Sequence, residues 1–485
     1  MQMFSSFELS SSIVPLIIII FYYYIYKWRN PKCTNGKLPP GSSGIPFIGE
    51  TLELIIPSYT YDINPFLQKR LQRHGLLFRT NLAGHNMVVS ADQEFNHFIF
   101  RQEEKLVVQW YMDVIEKLFK KGQSSPGDGQ SIHKYMRNLI LSHFGVDCLK
   151  QKLLPQFEQL VQTTLKSWSI QHSSIELKSA SVAMFGEFAA KQLFSYDLSN
   201  SKHLLTDKFV SFSNGLMSMP LNIPGTWYHK CLKDKEKVVK IIRDIVKERK
   251  EKKNNSIKDD DLLGRMIQDM KNYNFLTEEL ITQLLFGFLF ASFESVPSQL
   301  LFALKFISEN PNVLHQLTAE NEEILKRRKT LDSSFTWEDY KSMTFTLQVV
   351  NETLRLSNVM PGFLRKAVKD IQVNGYTIPA GWGIMVCQSV VHLDPNTYKD
   401  PLKFNPWRWK DVNSEFISKN LKPFGGGIKQ CAGADFSRAT MCVFLHVLVT
   451  KYKNWSIVKG GDIVQSPLLH FKNGLHITLS DENPN

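Results

Sequence analysis

The chain of 485 residues is longer than one ordinary domain, which leaves two domains or a single large fold built around a cofactor. With 43% hydrophobic and 12% aromatic residues it can bury a large core, and a net charge of +12 over that length argues against a disordered nucleic-acid-binding arm. The basic excess suits a membrane surface or an acidic protein partner instead.

Residues 9–26 carry no charge and end in Tyr22, Tyr23, Tyr24 and Tyr26, close to the roughly 20 residues a helix needs to span a bilayer. Lys27, Arg29 and Lys32 come directly after. A cleaved signal peptide carries basic residues before its apolar run and small residues after it, and neither is seen here. We therefore expect residues 1–26 to be a membrane anchor, with the rest of the chain on the cytosolic side. Residues 27–46 contain Leu38-Pro39-Pro40-Gly41-Ser42-Ser43-Gly44-Ile45-Pro46 and read as a basic, proline-rich hinge before a body spanning residues 47–485. The cysteines Cys33, Cys148, Cys231, Cys387, Cys431 and Cys442 lack C-x-x-C spacing, so no zinc or thioredoxin-like signature exists, and a cytosolic body keeps them reduced.

Helix-like runs dominate the body, with short β-type runs at residues 75–82 and 86–90, which predicts a mainly α fold with small sheets. His133 and Arg137, four apart, share one helical face, either as solvated polarity or as a pair aimed at a ligand. Residues 209–224 mix apolar side chains with two prolines and suit an ordinary core helix and turn. The charged stretch 247–261 reads as a solvated helix end and loop.

Residues 280–304 form the most apolar stretch of the body, interrupted by Ala291-Ser292-Phe293-Glu294-Ser295-Val296-Pro297. A carboxylate, a hydroxyl and a proline inside a buried helix oppose local propensity, and such conflicts mark function. Pro297 lacks an N–H and clashes with the Phe293 carbonyl, at a cost of about 3 kcal/mol. Further on, Glu352 and Arg355 have the i,i+3 spacing of a helical ion pair. In Pro423-Phe424-Gly425-Gly426-Gly427-Ile428-Lys429-Gln430-Cys431-Ala432-Gly433, three glycines give a backbone that can lie flat against a planar group. Phe436, Thr440, Cys442, Phe444, Leu445 and Leu448 then succeed one another at helical spacing, so Cys431 precedes a helix whose N-terminal amides favour a thiolate.

Phe424, Gly427, Cys431 and Gly433 match the Phe-x-x-Gly-x-x-x-Cys-x-Gly signature, and on them the chain resembles the cytochrome P450 monooxygenases. The resemblance implies the P450 fold preceded by one N-terminal transmembrane helix, and haem b with Cys431 as the thiolate ligand of iron. It places His133, Arg137, Arg365, Phe424, Lys429 and Gly433 beside the haem, with Lys429 where the family usually has Arg. Glu294 and Ser295 take the family's proton-delivering positions, although Ser295 stands where Thr is usual, Ser292 replaces Gly, and Val296 has no hydroxyl. Glu352, Arg355 and Arg408 would form a buried structural cluster. Val359 to Leu364 would turn back towards the iron and, with Leu289, Phe290, Phe293 and Pro467-Leu468-Leu469, suggest an apolar pocket for a bulky lipophilic substrate. Residues 209–224 would cover its entrance.

Ile48-Gly49-Glu50-Thr51 and Pro224-Gly225-Thr226-Trp227-Tyr228-His229 look most like plant microsomal P450s of the brassinosteroid, sterol and triterpenoid clan. That likeness implies oxidation of a triterpenoid or sterol with O2, and NADPH-cytochrome P450 reductase as electron donor. It implies the endoplasmic reticulum membrane, a cytosolic catalytic domain and no nucleic-acid partner. The alternatives are a P450-type isomerase or lyase that needs no external O2, separable by its independence of NADPH and O2, and a non-catalytic haem sensor.

Overall fold

The computed structural model describes residues 4–112, 115, 116, 119, 128–171, 173–196, 208, 212, 222–251, 260–328, 333–360 and 362–480, with the side chains of residues 4–14, 128 and 129 excepted. Most of the segment 209–224 and the middle of the charged run 247–261 therefore lie outside the described residues.

The helices that position the site are α1 (Phe4–Arg29), α2 (Gln93–Arg101), α3 (Asp128–Phe144), α4 (Leu177–Phe194), α5 (Trp227–Glu251), α6 (Glu278–Ser308), α7 (Thr344–Leu356) and α8 (Ala434–Lys451). Strands β1 (Leu77–Leu82), β2 (His85–Ser90), β3 (Val107–Gln109), β4 (Phe363–Ala367) and β5 (Gly383–Val386) make a mixed sheet in the order β1-β2-β5-β4-β3. Only β2 and β5 run parallel. The β1–β2 hairpin pairs Leu77 with Ser90 through Leu82 with His85, close to the short β-type runs at 75–82 and 86–90 read from the sequence. A three-stranded sheet of Ile175–Glu176, Leu475–Ser480 and Asn454–Gly460 lies apart from it. The body is mainly helical with small sheets.

Helix α6 is the axis of the core. Its 31 residues extend about 46 Å. The Thr277 hydroxyl caps it by accepting from the Leu280 amide, and Glu278 and Glu279 in the first turn complement the helix dipole. The helix continues through Pro297, and Leu300, Ala303, Leu304 and Ile307 beyond it are fully buried. Among the described residues, α6 is the one helix that meets a bilayer-spanning test of length and apolarity, but half of its apolar stretch is already buried in protein. It is a core helix.

Against it lies α4. Gly186 faces the Phe293 ring so closely that a Cβ there would sit 2.3 Å from Cζ. The absence of a side chain at Gly186 therefore sets the spacing of the two helices.

Part of the proline-rich connector is laid onto the body. The Arg79 amide donates to the Pro40 carbonyl at 2.8 Å, and the Thr377 amide to the Lys37 carbonyl at 2.8 Å. Trp28 Nε1, in the last turn of α1, donates to the Ser43 carbonyl at 3.1 Å. Prolines 39 and 40 have no N–H, but their carbonyls still accept, so a proline-rich stretch can edge a strand.

Gly186→Val should crowd the α4–α6 crossing and destabilise the protein by about 1–3 kcal/mol, the usual cost of overpacking. The check is a lower denaturant midpoint at unchanged m-value.

Candidate active site

The cysteine loop is shaped by its glycines. Gly425 and Gly427 adopt φ values of +72° and +70°, in the left-handed region that favours glycine. A Cβ on Gly427 would lie 2.1 Å from the Phe100 carbonyl oxygen at the end of α2, and one on Gly426 would lie 2.9 Å from the Phe100 ring. The loop therefore sits backbone-to-backbone on α2. It closes through the Cys431 amide, which donates to the Phe424 carbonyl at 3.0 Å.

Cys431 is exposed, just ahead of α8, whose residues from Ala439 to Val449 are buried without a break. Desolvation pushes its thiol pKa up, and the Gly433 amide, Arg137 and Arg438 each pull it back down. On α6, Ala291 and Ser295 are exposed one turn apart, whereas Phe293, Val296 and Pro297 between and beside them are buried. An accessible thiol with an amide donor, a loop cleared of Cβ atoms and open positions in the core helix are a donor set and a cradle that fit haem.

Ser295 Oγ donates to the Ala291 carbonyl at 2.9 Å. Glu294 instead accepts from Lys178 Nζ of α4 at 2.9 Å, and the same ammonium donates to Ser298 Oγ at 2.6 Å. The structure thus puts the two candidate proton carriers at neighbouring positions without a hydrogen bond between them.

Of the four residues expected beside haem as cations or imidazole, Arg137 donates through Nη1 to the Gln430 carbonyl at 2.5 Å, which ties α3 to the cysteine loop. His133 is half-buried, and desolvation, with Lys429 and Arg137 adding to it, lowers its pKa and favours the neutral ring. The remaining two cations are engaged by carboxylates that no local sequence signal singled out. Arg365 on β4 donates through Nε to Glu103 Oε1 at 2.6 Å, and Lys429 Nζ lies 3.1 Å from Glu104 Oε1. Two adjacent acids after an amphipathic helix look like solvated charge, so only the fold brings out their partners.

Glu352, Arg355 and Arg408 are brought together. Glu352 Oε1 accepts from Arg355 Nη2, Arg408 Nε and the Asn405 amide, and Oε2 accepts from Arg355 Nε and Trp409 Nε1, all within 2.8–3.0 Å. Both Glu352 and Arg355 are fully buried. Arg355 Nη1 also donates to the His392 carbonyl at 2.8 Å. His392 Nε2 accepts from the Lys422 amide at 3.0 Å, which leaves the ring proton on Nδ1 to face Asn358 Oδ1 at 2.8 Å.

The proposed pocket wall divides. Phe290 is partly exposed, and its ring meets those of Phe119 and Phe212, each at 5.2 Å between centroids. Leu289 and Phe293 are fully buried, and Phe293 is directed at Gly186, so these two build the α6 packing. Apolar character alone does not tell a pocket wall from a helix interface.

Residues 39–474 match the family model described as Cytochrome P450. The chain is 46% identical to the cucurbitadienol 11-hydroxylase of Siraitia grosvenorii, over 96% of this chain and 98% of that protein. It is 44% identical to the beta-amyrin 16-alpha-hydroxylase of Maesa lanceolata, over 97% and 98%, and 35% identical to the cholesterol 16,22-dihydroxylase of Trigonella foenum-graecum, over 98% and 97%. Among solved structures, the retinoic acid bound cyanobacterial CYP120A1 superposes with a TM-score of 0.79 at 24% identity, covering 92% of this chain and all of that one, a likeness of fold.

Burial, with Arg355 adding to it, lowers the His392 pKa to about 3, and burial with Arg328 and Lys451 does the same to His446. Both rings are neutral in the fold, while an unfolded histidine takes a proton near pH 6.5. Their contribution is therefore intact above pH 6.5 and lost as pH falls towards 3, at up to about 1.4 kcal/mol per pH unit for each ring. Melting temperature should fall below pH 6.5, and His392→Gln should flatten that slope. An equally steep slope in the variant contradicts the assignment.

Proposed function

The chain belongs to the cytochrome P450 family as a haem-thiolate monooxygenase, and on that premise we propose that it hydroxylates a triterpenoid scaffold, with sterols as the neighbouring substrate class. The observation that carries this is identity of 44–46% over nearly the whole chain to two enzymes named as hydroxylases of cucurbitadienol and beta-amyrin, with cholesterol hydroxylases further off. Those names support oxygen insertion over rearrangement or sensing.

When bound, haem supplies activation of O2 and insertion of one oxygen atom into a C–H bond, with electrons from NADPH through NADPH-cytochrome P450 reductase. Cys431 would hold the haem as its thiolate ligand, steadied by the Gly433 amide, and Phe424 contributes the carbonyl that closes the loop. Arg137 ties α3 to that loop, with His133 one turn earlier on the helix, while Arg365 and the loop's own Lys429 rest on their carboxylate partners. Glu294, at 36% side-chain exposure, takes protons from solvent, and Lys178 holds its carboxylate in place. Ser295, exposed at the neighbouring position with its hydroxyl on the Ala291 carbonyl, holds a proton for the reacting oxygen. Phe290 and the aromatic rings around it form an apolar cluster that would exclude water from a bound lipophilic substrate.

Residues 1–26 serve as a single-pass anchor in the endoplasmic reticulum membrane, residues 27–46 as the basic connector and residues 47–485 as the cytosolic catalytic domain. Supporting this, Leu16 through Tyr24 are exposed at every position, an arrangement that water disfavours and lipid accepts, and Lys27 and Arg29 close the helix.

Incubated with reductase, NADPH and a panel of tetracyclic and pentacyclic triterpenes and sterols, the enzyme should convert a triterpene to a product one oxygen atom heavier. Turnover of sterols alone, or conversion without NADPH, contradicts the proposal. Ser295→Ala should retain substrate-induced spectral shifts while product formed per NADPH falls by about a hundredfold. Unchanged coupling would mean that ordered water alone carries the protons.

A further inference from the structure

We propose that Glu103 and Glu104 form a two-carboxylate clamp on Lys429, which positions the cysteine loop for iron ligation. The inference rests on the haem-thiolate reading of Cys431.

The two acids are consecutive, yet both reach the same loop residue. Glu103 Oε2 accepts from the Lys429 backbone amide at 2.9 Å, while Glu104 Oε1 lies 3.1 Å from the Lys429 ammonium. Consecutive side chains in helix or strand diverge, so this convergence needs an unusual backbone. Glu104 supplies it with φ +67°, a left-handed conformation that is uncommon outside glycine. Its amide is held there by the Val107 carbonyl at 2.7 Å. A strained residue fixed by its surroundings at a ligand loop is a place where position matters to function.

The clamp is anchored on its far side. Glu103 is 5% exposed, and its Oε1 takes the Arg365 guanidinium, itself 3% exposed. Arg365 also stacks 5.6 Å from the centre of the Phe100 ring, and Phe100 is the residue against which Gly426 and Gly427 lie flat. Strand β4, helix α2 and the cysteine loop are thus joined through one buried carboxylate. Glu104 is held in turn by Gln130 Nε2 of α3 at 2.6 Å.

The clamp also gives the Lys429 departure a physical reason. A lysine ammonium is a compact point charge on a flexible stem, and here the side chain is 9% exposed and directed to Glu104. Glu103 and Glu104 balance Arg365 and Lys429 charge for charge, so they set the field at the edge of the site as well as the loop position.

The test uses the holoenzyme and the variants Glu103→Gln and Glu104→Asn. Gln keeps an acceptor but not the charge, and Asn tolerates the left-handed backbone. Gly186→Val serves as the control for plain loss of stability. Three quantities are measured: the reduced carbonyl spectrum, the rate of haem transfer to apomyoglobin, and the haem midpoint potential. Weakening the groups that hold a metal ligand typically costs 10–100-fold in metal retention, so haem release should accelerate by about tenfold or more in both variants. Loss of a negative charge favours the electron-rich ferrous state, so the potential should rise in both. Wild-type release rates and potentials in both variants overturn the clamp, as does a pattern matching the Gly186→Val control. Lack of a thiolate-type carbonyl band in the wild-type protein overturns the haem-thiolate reading itself, a result distinct from failure of the clamp.

Discussion

One fully buried carboxylate, that of Glu352, receives five N–H donors. Taking a charge out of water costs several kcal/mol, and here full hydrogen bonding and two guanidiniums offset it. Such a cluster is tolerant only while complete, because removing one partner leaves a buried charge unpaired, typically at about 3–5 kcal/mol. That constraint propagates. Arg355, held by Glu352, donates to the His392 carbonyl, and the His392 ring accepts from the Lys422 amide where the chain turns into the cysteine loop. The turn that leads to the thiol is therefore tied by hydrogen bonds to this charge cluster.

Helix α6 shows how polarity can be kept inside an apolar core. Ser292, Ser295 and Ser298 each donate to the carbonyl four residues earlier, so all three hydroxyls are satisfied within the helix. None needs a partner from another element. A hydroxyl bonded this way can rotate to a new acceptor without leaving a buried donor stranded elsewhere, which suits a group that handles protons. Lys178 belongs to a different arrangement: it bridges α4 to Glu294 and Ser298, one turn apart on α6, and so fixes the helix crossing as well as the carboxylate.

The parts of the site legible in the sequence were those whose chemistry is local. The three glycines announce a close backbone approach, made here against Phe100, and Glu352 with Arg355 announces a pair, because each depends on neighbours within a few positions. The mainly helical fold and the β1–β2 hairpin were readable from periodicity for the same reason. Long-range partners were not legible. Glu103 meets Lys429 across more than three hundred residues, and nothing about two adjacent acids distinguishes a buried clamp from a solvated surface. Nor did proline content reveal that residues 37–43 lie along the body, since a carbonyl accepts a hydrogen bond whatever its side chain. Leu289 and Phe293 misled in the opposite way: an apolar residue one position from a functional one on a helix points about 100° away, into the packing.

A loop built from glycine gains freedom of approach and loses every side chain by which it might be packed. Much of its position must then be imposed through the main chain, and four contacts act there beside the Lys429 side chain on Glu104. His392 takes the Lys422 amide, Glu103 takes the Lys429 amide, Arg137 takes the Gln430 carbonyl, and the Phe424 carbonyl takes the Cys431 amide. Three of these anchors come from separate parts of the fold: the segment after β5, the turn after α2, and α3. Their agreement places one accessible sulfur where partial desolvation disfavours its charge while an amide and two guanidiniums favour it. The thiol's electronic character is thus a property of where the backbone is held, and each anchor that holds it tunes the ligand without touching it.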